Sequence, residues 1–212
     1  MRQIDSKRQK PDFSFETAYH ETGHLLVAGV DEAGRGPWAG PVVAAAVILD
    51  PCNIPDGLND SKKLNEARRD HLFDQIQSSS ELAIGIVEAE EIDQINILQA
   101  TMKAMSVAIS GLPRPPGVAL IDGNRAPVLS CPSQTIKKGD ALSVSIAAAS
   151  IIAKVTRDRM MKNIDKQFPD YGFARHKGYG TAIHSTALAS LGPCPQHRRS
   201  FAPIKALLAD SK

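Results

Sequence analysis

The sequence predicts an α/β domain whose mixed β-sheet is flanked by α-helices and followed by a helical C-terminal part. Short apolar runs bounded by Gly, Pro, Asn or Asp recur between residues 25 and 136. Two of them stand back to back across a Gly/Pro-rich link, and segments with helical spacing are interleaved among the rest. Adjacent strands with a short link suggest an antiparallel hairpin, and strands first with helices interleaved, in a mixed rather than purely alternating order, indicate a mixed sheet.

The runs justify the elements in order. Leu25–Val30 reads as a buried strand and Val42–Leu49, rich in Val and Ile, as its hairpin partner. Asp60 or Ser61 is placed to cap a helix whose apolar positions are Leu64, Ala67, Leu72, Phe73 and Ile76. Leu82–Val87 is a third strand. Residues 89–110 form a helix with Ile92, Ile95, Leu98, Met102 and Met105 along one stripe, which marks a core face. Val118–Ile121 is a short buried strand ending on Asp122, and Thr135–Ile136 an edge strand. Residues 141–168 then make a long helix, Ala/Ser-rich at first and basic later; small residues let a helix lie close to a sheet.

A chain of 212 residues with 42% hydrophobic residues builds one substantial core. We expect one catalytic domain over residues 23–212, with residues 1–22 a loosely held tail. That tail has charges throughout and no apolar segment, which excludes a signal peptide or anchor. Three cysteines, 79 and 63 residues apart, have no metal-type spacing and fit a reduced, cytoplasmic protein. The net charge of +2 hides an asymmetry: residues 1–136 hold 12 Lys/Arg against 18 Asp/Glu, and residues 137–212 hold 13 against 5. A basic C-terminal third suits a polyanion-binding surface and equally a solvated helix face, so charge alone does not decide.

Acids at predicted strand ends carry more information. Asp31 and Glu32 end the first strand, Asp122 ends the Val118 strand, and Asp140 stands at the mouth of the long helix. With oxygen ligands only, this set suits Mg²⁺ or Mn²⁺ rather than zinc. A divalent cation would also hold together two adjacent like charges that otherwise repel. The competing structural explanation is that acids form turns and caps, Asp140 being placed to cap the helix that follows. Neighbours in a regular strand point to opposite faces, so Asp31 and Glu32 reach one site only if the strand bends, and Ala33-Gly34 is where a bend is expected.

The blocks VAGVDEAGRGPWAGPVVAAAVIL, NDSKKL, LIDG, KGDALSVSIAAASIIAKVTRDR, FPDYGFARHKGYGT and HRRSFAPI, in this order, closely resemble bacterial type 2 ribonuclease H, the ribonuclease HII family, over residues 27–204. The resemblance implies a ribonuclease H-like fold and cleavage of the RNA strand of RNA–DNA hybrids, including 5′ to single ribonucleotides in duplex DNA. It assigns Asp31, Glu32, Asp122 and Asp140 as catalytic ligands of Mg²⁺ or Mn²⁺. Gly34, Arg35 and Gly36 match the loop whose backbone contacts the ribonucleotide 2′-hydroxyl, Lys62 a phosphate-contacting lysine, and Tyr179 the tyrosine that packs on the deoxyribose beyond the RNA–DNA junction. Lys177, Arg198 and Arg199 are expected to hold duplex phosphates. The expected partners are nucleic acid duplexes, without a membrane, and the expected state a monomer.

Two positions depart from the family pattern: Trp38 stands where leucine is usual, and Gly180 where alanine or proline is common. Type 3 relatives carry Gly-Lys-Gly after their acids and an added N-terminal domain, whereas this chain has Arg35, which favours type 2. Alternatives are an integrase- or resolvase-like DNA nuclease, a hybrid-binding protein without catalysis, and a nucleotide-binding module. The last fits poorly, because GRGPWAG has the wrong glycine spacing and two acids would repel a phosphate.

Overall fold

The computed structural model describes residues 10–210. Its elements run α1 (Ser14–Glu21), β1 (Val27–Ala33), β2 (Val42–Leu49), α2 (Glu66–Ser79), β3 (Ser80–Val87), α3 (Ala89–Ser110), β4 (Val118–Asp122), β5 (Ser133–Ile136), α4 (Val144–Gln167), α5 (Phe173–His176), α6 (Ala182–Leu191) and α7 (Ala202–Asp210). The strands form one sheet in the order β3-β2-β1-β4-β5. The expected hairpin is present, β1 pairing antiparallel with β2, while β4 returns parallel to β1 and β5 parallel to β4.

Packing follows from which residues point where. Val30, Ala44, Ala46 and Ile121 face α3, whereas Ala45, Val47 and Leu49 face α2 and α4. Being covered on both sides, β2 is buried along its whole length and reads as an unbroken apolar run. The Ala/Ser half of α4 crosses β1 so closely that a Cβ on Gly29 would fall 2.1 Å from the Ser145 carbonyl carbon. Beyond the sheet, α5, α6 and α7 gather with the end of α4 around Phe173, Met161, Leu188 and Ile204.

Several element ends differ from expectation, each for a local reason. Asp60 caps only a 3₁₀ turn (Ser61–Lys63), and α2 begins after Asn65, whose side chain accepts the Arg68 amide at 2.8 Å. Asp140 is not the cap of α4. It is buried in a 3₁₀ turn (Gly139–Ala141), and Ser143 caps the helix instead. α3 is broken at Asn96 (φ 65°), whose carboxamide accepts the amides of Leu98 and Gln99 and restarts the helix. The buried stripe therefore shifts from Leu98 to Ala100, Ala104 and Ala108.

The N-terminal tail needs correction where it is described. Residues 14–21 are helical and docked, because fully buried Glu16 accepts the Ser143 hydroxyl (2.5 Å) and the Ser145 amide (3.0 Å) at the start of α4. An acid at a helix N-terminus satisfies amides that have no partner within the helix. Residues 1–9 lie outside the described residues.

Candidate active site

The acids are assembled by the end of the sheet. β1 and β4 run parallel with Val30 beside Ile121, so Asp31 and Asp122 come next in line on neighbouring strands. Asp31 points to the α4 face, like its partner Ala45. Asp122 follows Leu120 on that face and accepts the Gly139 amide at 2.7 Å, which ties the turn holding Asp140 against it. Ser61 and Ser150 are hydrogen-bonded side chain to side chain at 2.8 Å, and this pins the 3₁₀ turn of Lys62 onto α4 beside the acids.

The expected bend at Ala33-Gly34 is not how Glu32 reaches the site. β1 stays in register with β2 through Ala33, and Asp31 and Glu32 do point to opposite faces. β4, however, stops at Asp122 and the chain turns away at Gly123 (φ 100°), so Glu32 keeps β2 on one side and has no strand on the β4 side. From this open end both acids line one cleft of about 320 Å³, together with Gly34, Arg35, Gly36, Lys62, Lys154 and Tyr179.

The acids shift one another's titration. Burial, then the charges of Glu32 and Asp122, push Asp31 well above the usual carboxylate range. Burial raises Glu32 against the pull of Arg35, which pairs with it at 3.3 Å. Burial, Asp60 and Asp122 push Asp140 up to about 6. Lys62 is lowered by burial, but Asp31, Asp60, Asp140 and Asp122 outweigh that and raise it. Asp60 thus joins the acidic group, which the sequence alone did not reveal; its signal was its place two residues before Lys62 in NDSKKL.

Among the described residues no three acids, histidines or cysteines are already drawn round a single point. The donor set nevertheless fits a hard divalent cation: carboxylate oxygens only, like-charged and partly buried, with their mutual repulsion opposed chiefly by Lys62 and Arg35.

The loop after β1 is held by two buried arginines. Arg198 donates to the carbonyls of Gly34 (2.6 Å), Arg35 (3.1 Å), Pro37 (2.8 Å) and Gly40 (2.9 and 2.8 Å). Arg157 donates to Pro41 (2.9 Å), Ala39 (3.1 Å) and Lys177 (3.0 Å). The Gly34 and Arg35 carbonyls turn inward, so the Arg35 and Gly36 amides of the same peptide units point away from Arg198, and among the described residues the amides of Gly34, Arg35 and Gly36 enter no main-chain hydrogen bond outside the sheet. Burial, then the charge of Arg157, pushes Arg198 down to about 9, so it remains protonated at neutral pH.

This overturns Arg198 as a phosphate contact. It is fully buried with its donors directed at carbonyls, so a duplex cannot reach it. Of the adjacent arginines, Arg199 is the exposed one. Lys177 is half-buried, with its ammonium bonded to the Ala174 carbonyl, and stands outside the cleft lining. Tyr179 is 46% exposed, and its ring lies 3.7 Å from where a Cβ on Gly36 would stand, so the ring and the glycine loop border the same space.

The family model for ribonuclease HII matches residues 28–204. The chain belongs to the ribonuclease HII family. Ribonuclease HII of Parvibaculum lavamentivorans is 58% identical over 200 residues, covering 94% of this chain and 74% of that protein. Ribonuclease HII 1 of Methylibium petroleiphilum is 60% identical over 188 residues, covering 88% and 95% respectively. Among solved structures, the ribonuclease H2 of Pyrococcus horikoshii superposes with a TM-score of 0.74 at 27% identity, over 88% of this chain and 98% of that one. A ribonuclease HIII crystallised with Mn²⁺ shares the fold at 21% identity and a TM-score of 0.69, over 92% of this chain and 73% of that one. The fold is therefore ribonuclease H-like, and the ribonuclease HII chain is a metal-dependent endoribonuclease acting on RNA–DNA hybrids. No helix among the described residues is long and apolar enough to cross a membrane.

Proposed function

We propose that this ribonuclease HII hydrolyses the phosphodiester on the 5′ side of ribonucleotides, including single ones embedded in duplex DNA, leaving a 3′-hydroxyl and a 5′-phosphate. It works as a cytoplasmic monomer. The observation that carries this reading is that one cleft is lined by Asp31, Glu32, the Gly34–Gly36 backbone, Lys62 and Tyr179. Asp31, Glu32, Asp122 and Asp140 are the residues that would hold Mg²⁺ or Mn²⁺. A pair of such cations, when bound, activates water and stabilises the departing 3′ oxygen.

The chain's own groups do the rest. Amides of Gly34, Arg35 and Gly36, freed by the arginines behind them, hydrogen-bond the 2′-hydroxyl that distinguishes RNA from DNA. Lys62, raised among the acids and always charged, holds a phosphate of the cleaved strand. Tyr179 sets its ring against the sugar beyond the ribonucleotide and disfavours a further hydroxyl there by size and polarity.

The test is cleavage of duplex DNA carrying one ribonucleotide, with Mg²⁺, Mn²⁺ or EDTA, beside an all-DNA duplex. A cut 5′ to the ribonucleotide that requires the metal is expected. Cleavage of the all-DNA duplex would point to a DNA nuclease, and binding without cleavage in either metal to a hybrid-binding protein.

A further inference from the structure

Trp38 and Gly180 meet in space. The indole of Trp38 lies under the turn that carries Tyr179, and a Cβ on Gly180 would fall 2.0 Å from Cζ2 and 2.3 Å from Cε2 of that ring. Gly180 does not have the positive φ that favours glycine, so its backbone accepts any L-residue. The ring alone demands glycine at 180. Real Cβ atoms do not approach other atoms so closely, and the indole has little freedom to retreat. It packs on His184 with centroids 5.5 Å apart, while its own amide is bonded to the Gly178 carbonyl at 2.8 Å and its carbonyl accepts the Arg198 amide at 2.8 Å.

The same ring neighbours hold Tyr179. The Cys194 amide donates to His197 Nδ1 (2.9 Å), which leaves the Nε2–H of His197 for His184 Nε2 (2.9 Å) and the Nδ1–H of His184 for the Tyr179 carbonyl (3.0 Å). That tautomer assignment satisfies these three contacts with both imidazoles neutral, and the 3.3 Å approach of His197 Nδ1 to the Cys194 carbonyl is then not a hydrogen bond. Residue 179 is thus fixed from below by His184, and residue 180 rests on the indole that packs against the same imidazole.

We propose that Trp38 and Gly180 are a size-matched pair of positioning residues: the indole inserted beneath the Tyr179–Gly180 turn sets where the Tyr179 ring stands over the Gly34–Gly36 backbone. The pair thereby sets how strongly this enzyme prefers a ribonucleotide followed by deoxyribose over continuous RNA. This rests on the role of Tyr179 proposed for the cleft.

The test compares initial cleavage rates on duplex DNA with one ribonucleotide and on a continuous RNA–DNA hybrid, taken as a ratio, for the full chain and four variants. Trp38→Leu opens a gap under the turn and is expected to lower the ratio about 5-fold. Trp38→Leu/Gly180→Ala, which puts a methyl into that gap, is expected to return it to within about 2-fold of the parent. Gly180→Ala alone should lower the ratio and the melting temperature together. Should that variant fail to fold, the comparison of Trp38→Leu with the double variant still decides, since neither contains a clash. A ratio unchanged by Trp38→Leu, or not recovered in the double variant, overturns the pairing.

Tyr179→Ala separates the two readings: an unchanged ratio there overturns the role of Tyr179 itself. A lowered ratio there with an unresponsive Trp38 and Gly180 overturns only the present inference. Trp38 is also the sole tryptophan, so its emission reports on the turn without any substitution. Binding of the ribonucleotide duplex in EDTA should change that emission more than binding of an all-DNA duplex, and an identical response to both would count against the proposal.

Discussion

Two regions border the cleft and treat charge in opposite ways. At the end of the sheet, carboxylates are brought together with their repulsion only partly relieved, and Asp31, Glu32 and Asp140 all titrate above the ordinary range. In the layer beneath the glycine loop, the charged and polar groups are spent on the protein itself: Arg157 and Arg198 on carbonyls, His184 and His197 on one another and on Tyr179. Electrostatic strain is kept where a cation and a polyanion are to arrive. Satisfaction is kept where a main-chain surface has to hold its shape.

Substitutions can break that contrast. The largest expected effect is on chemistry: Asp31→Asn should lower cleavage by roughly 1000-fold or more, about 4 kcal/mol of barrier, while stability in EDTA holds or rises because a buried like charge is gone. Adding Mg²⁺ or Mn²⁺ at about 100 times its dissociation constant should stabilise the parent by about 2.7 kcal/mol, a gain this variant should largely lose. Single-turnover cleavage and urea unfolding read both.

Next comes Arg198→Met, which strands the carbonyls of Gly34, Arg35, Pro37 and Gly40. Each buried carbonyl left without a donor costs about 1–3 kcal/mol, so a loss of about 3 kcal/mol or more is expected. The exposed neighbour Arg199→Met should stay within about 0.5 kcal/mol. Equal losses at the two positions would contradict the assignment of Arg198 to the interior.

The two regions also answer acid with opposite signs. Asp140 has a folded value of about 6 against an ordinary 3.8, so the folded state takes up its proton first and stability rises as pH falls from about 6 towards 3.8. His197, held down by burial and by His184 to about 4 from 6.5, is protonated first in the unfolded chain, so stability falls over pH 6.5 to 4. Each slope is at most about 1.4 kcal/mol per pH unit, and in metal-free protein the raised Asp31 and Glu32 add to the Asp140 side. Asp140→Asn should remove one part of the gain on acidification and bring the pH dependence below 6 closer to the histidine slope. His197→Asn should flatten it, both read by urea unfolding in EDTA.

Among the cleft residues the smallest effect is expected at Lys62→Gln. Removing one exposed charge that holds a phosphate should raise KM several-fold, about 1 kcal/mol, and reduce the slope of log affinity against log salt by about one.

How legible this was depended on the kind of residue. Asp31, Glu32 and Asp122 were readable because an acid directly after an apolar run stands at or near a strand end, Asp122 closing β4 and the Asp31-Glu32 pair lying in the last three residues of β1. Asp60 and Glu16 were not, since a turn-forming acid and a tail acid look alike in sequence until a distant helix is laid against them. Arg198 and Arg199 show the limit most plainly: identical side chains, adjacent, one fully buried and one exposed. The basic C-terminal third is accordingly less basic at its surface than its composition suggests, with Arg157 and Arg198 both turned inward.

What the sequence determined by itself was the set of elements and the hard-oxygen chemistry at their ends. Apolar periodicity and the avoidance of unpaired charge are local properties, and each is written within a few residues. Only the tertiary structure decided that Glu32 reaches the cleft because β4 stops short, that Arg198 turns the Gly34 and Arg35 carbonyls inward, and that Trp38 lies against Gly180. Those outcomes depend on which distant surfaces meet, and on the requirement that buried polar groups find partners there.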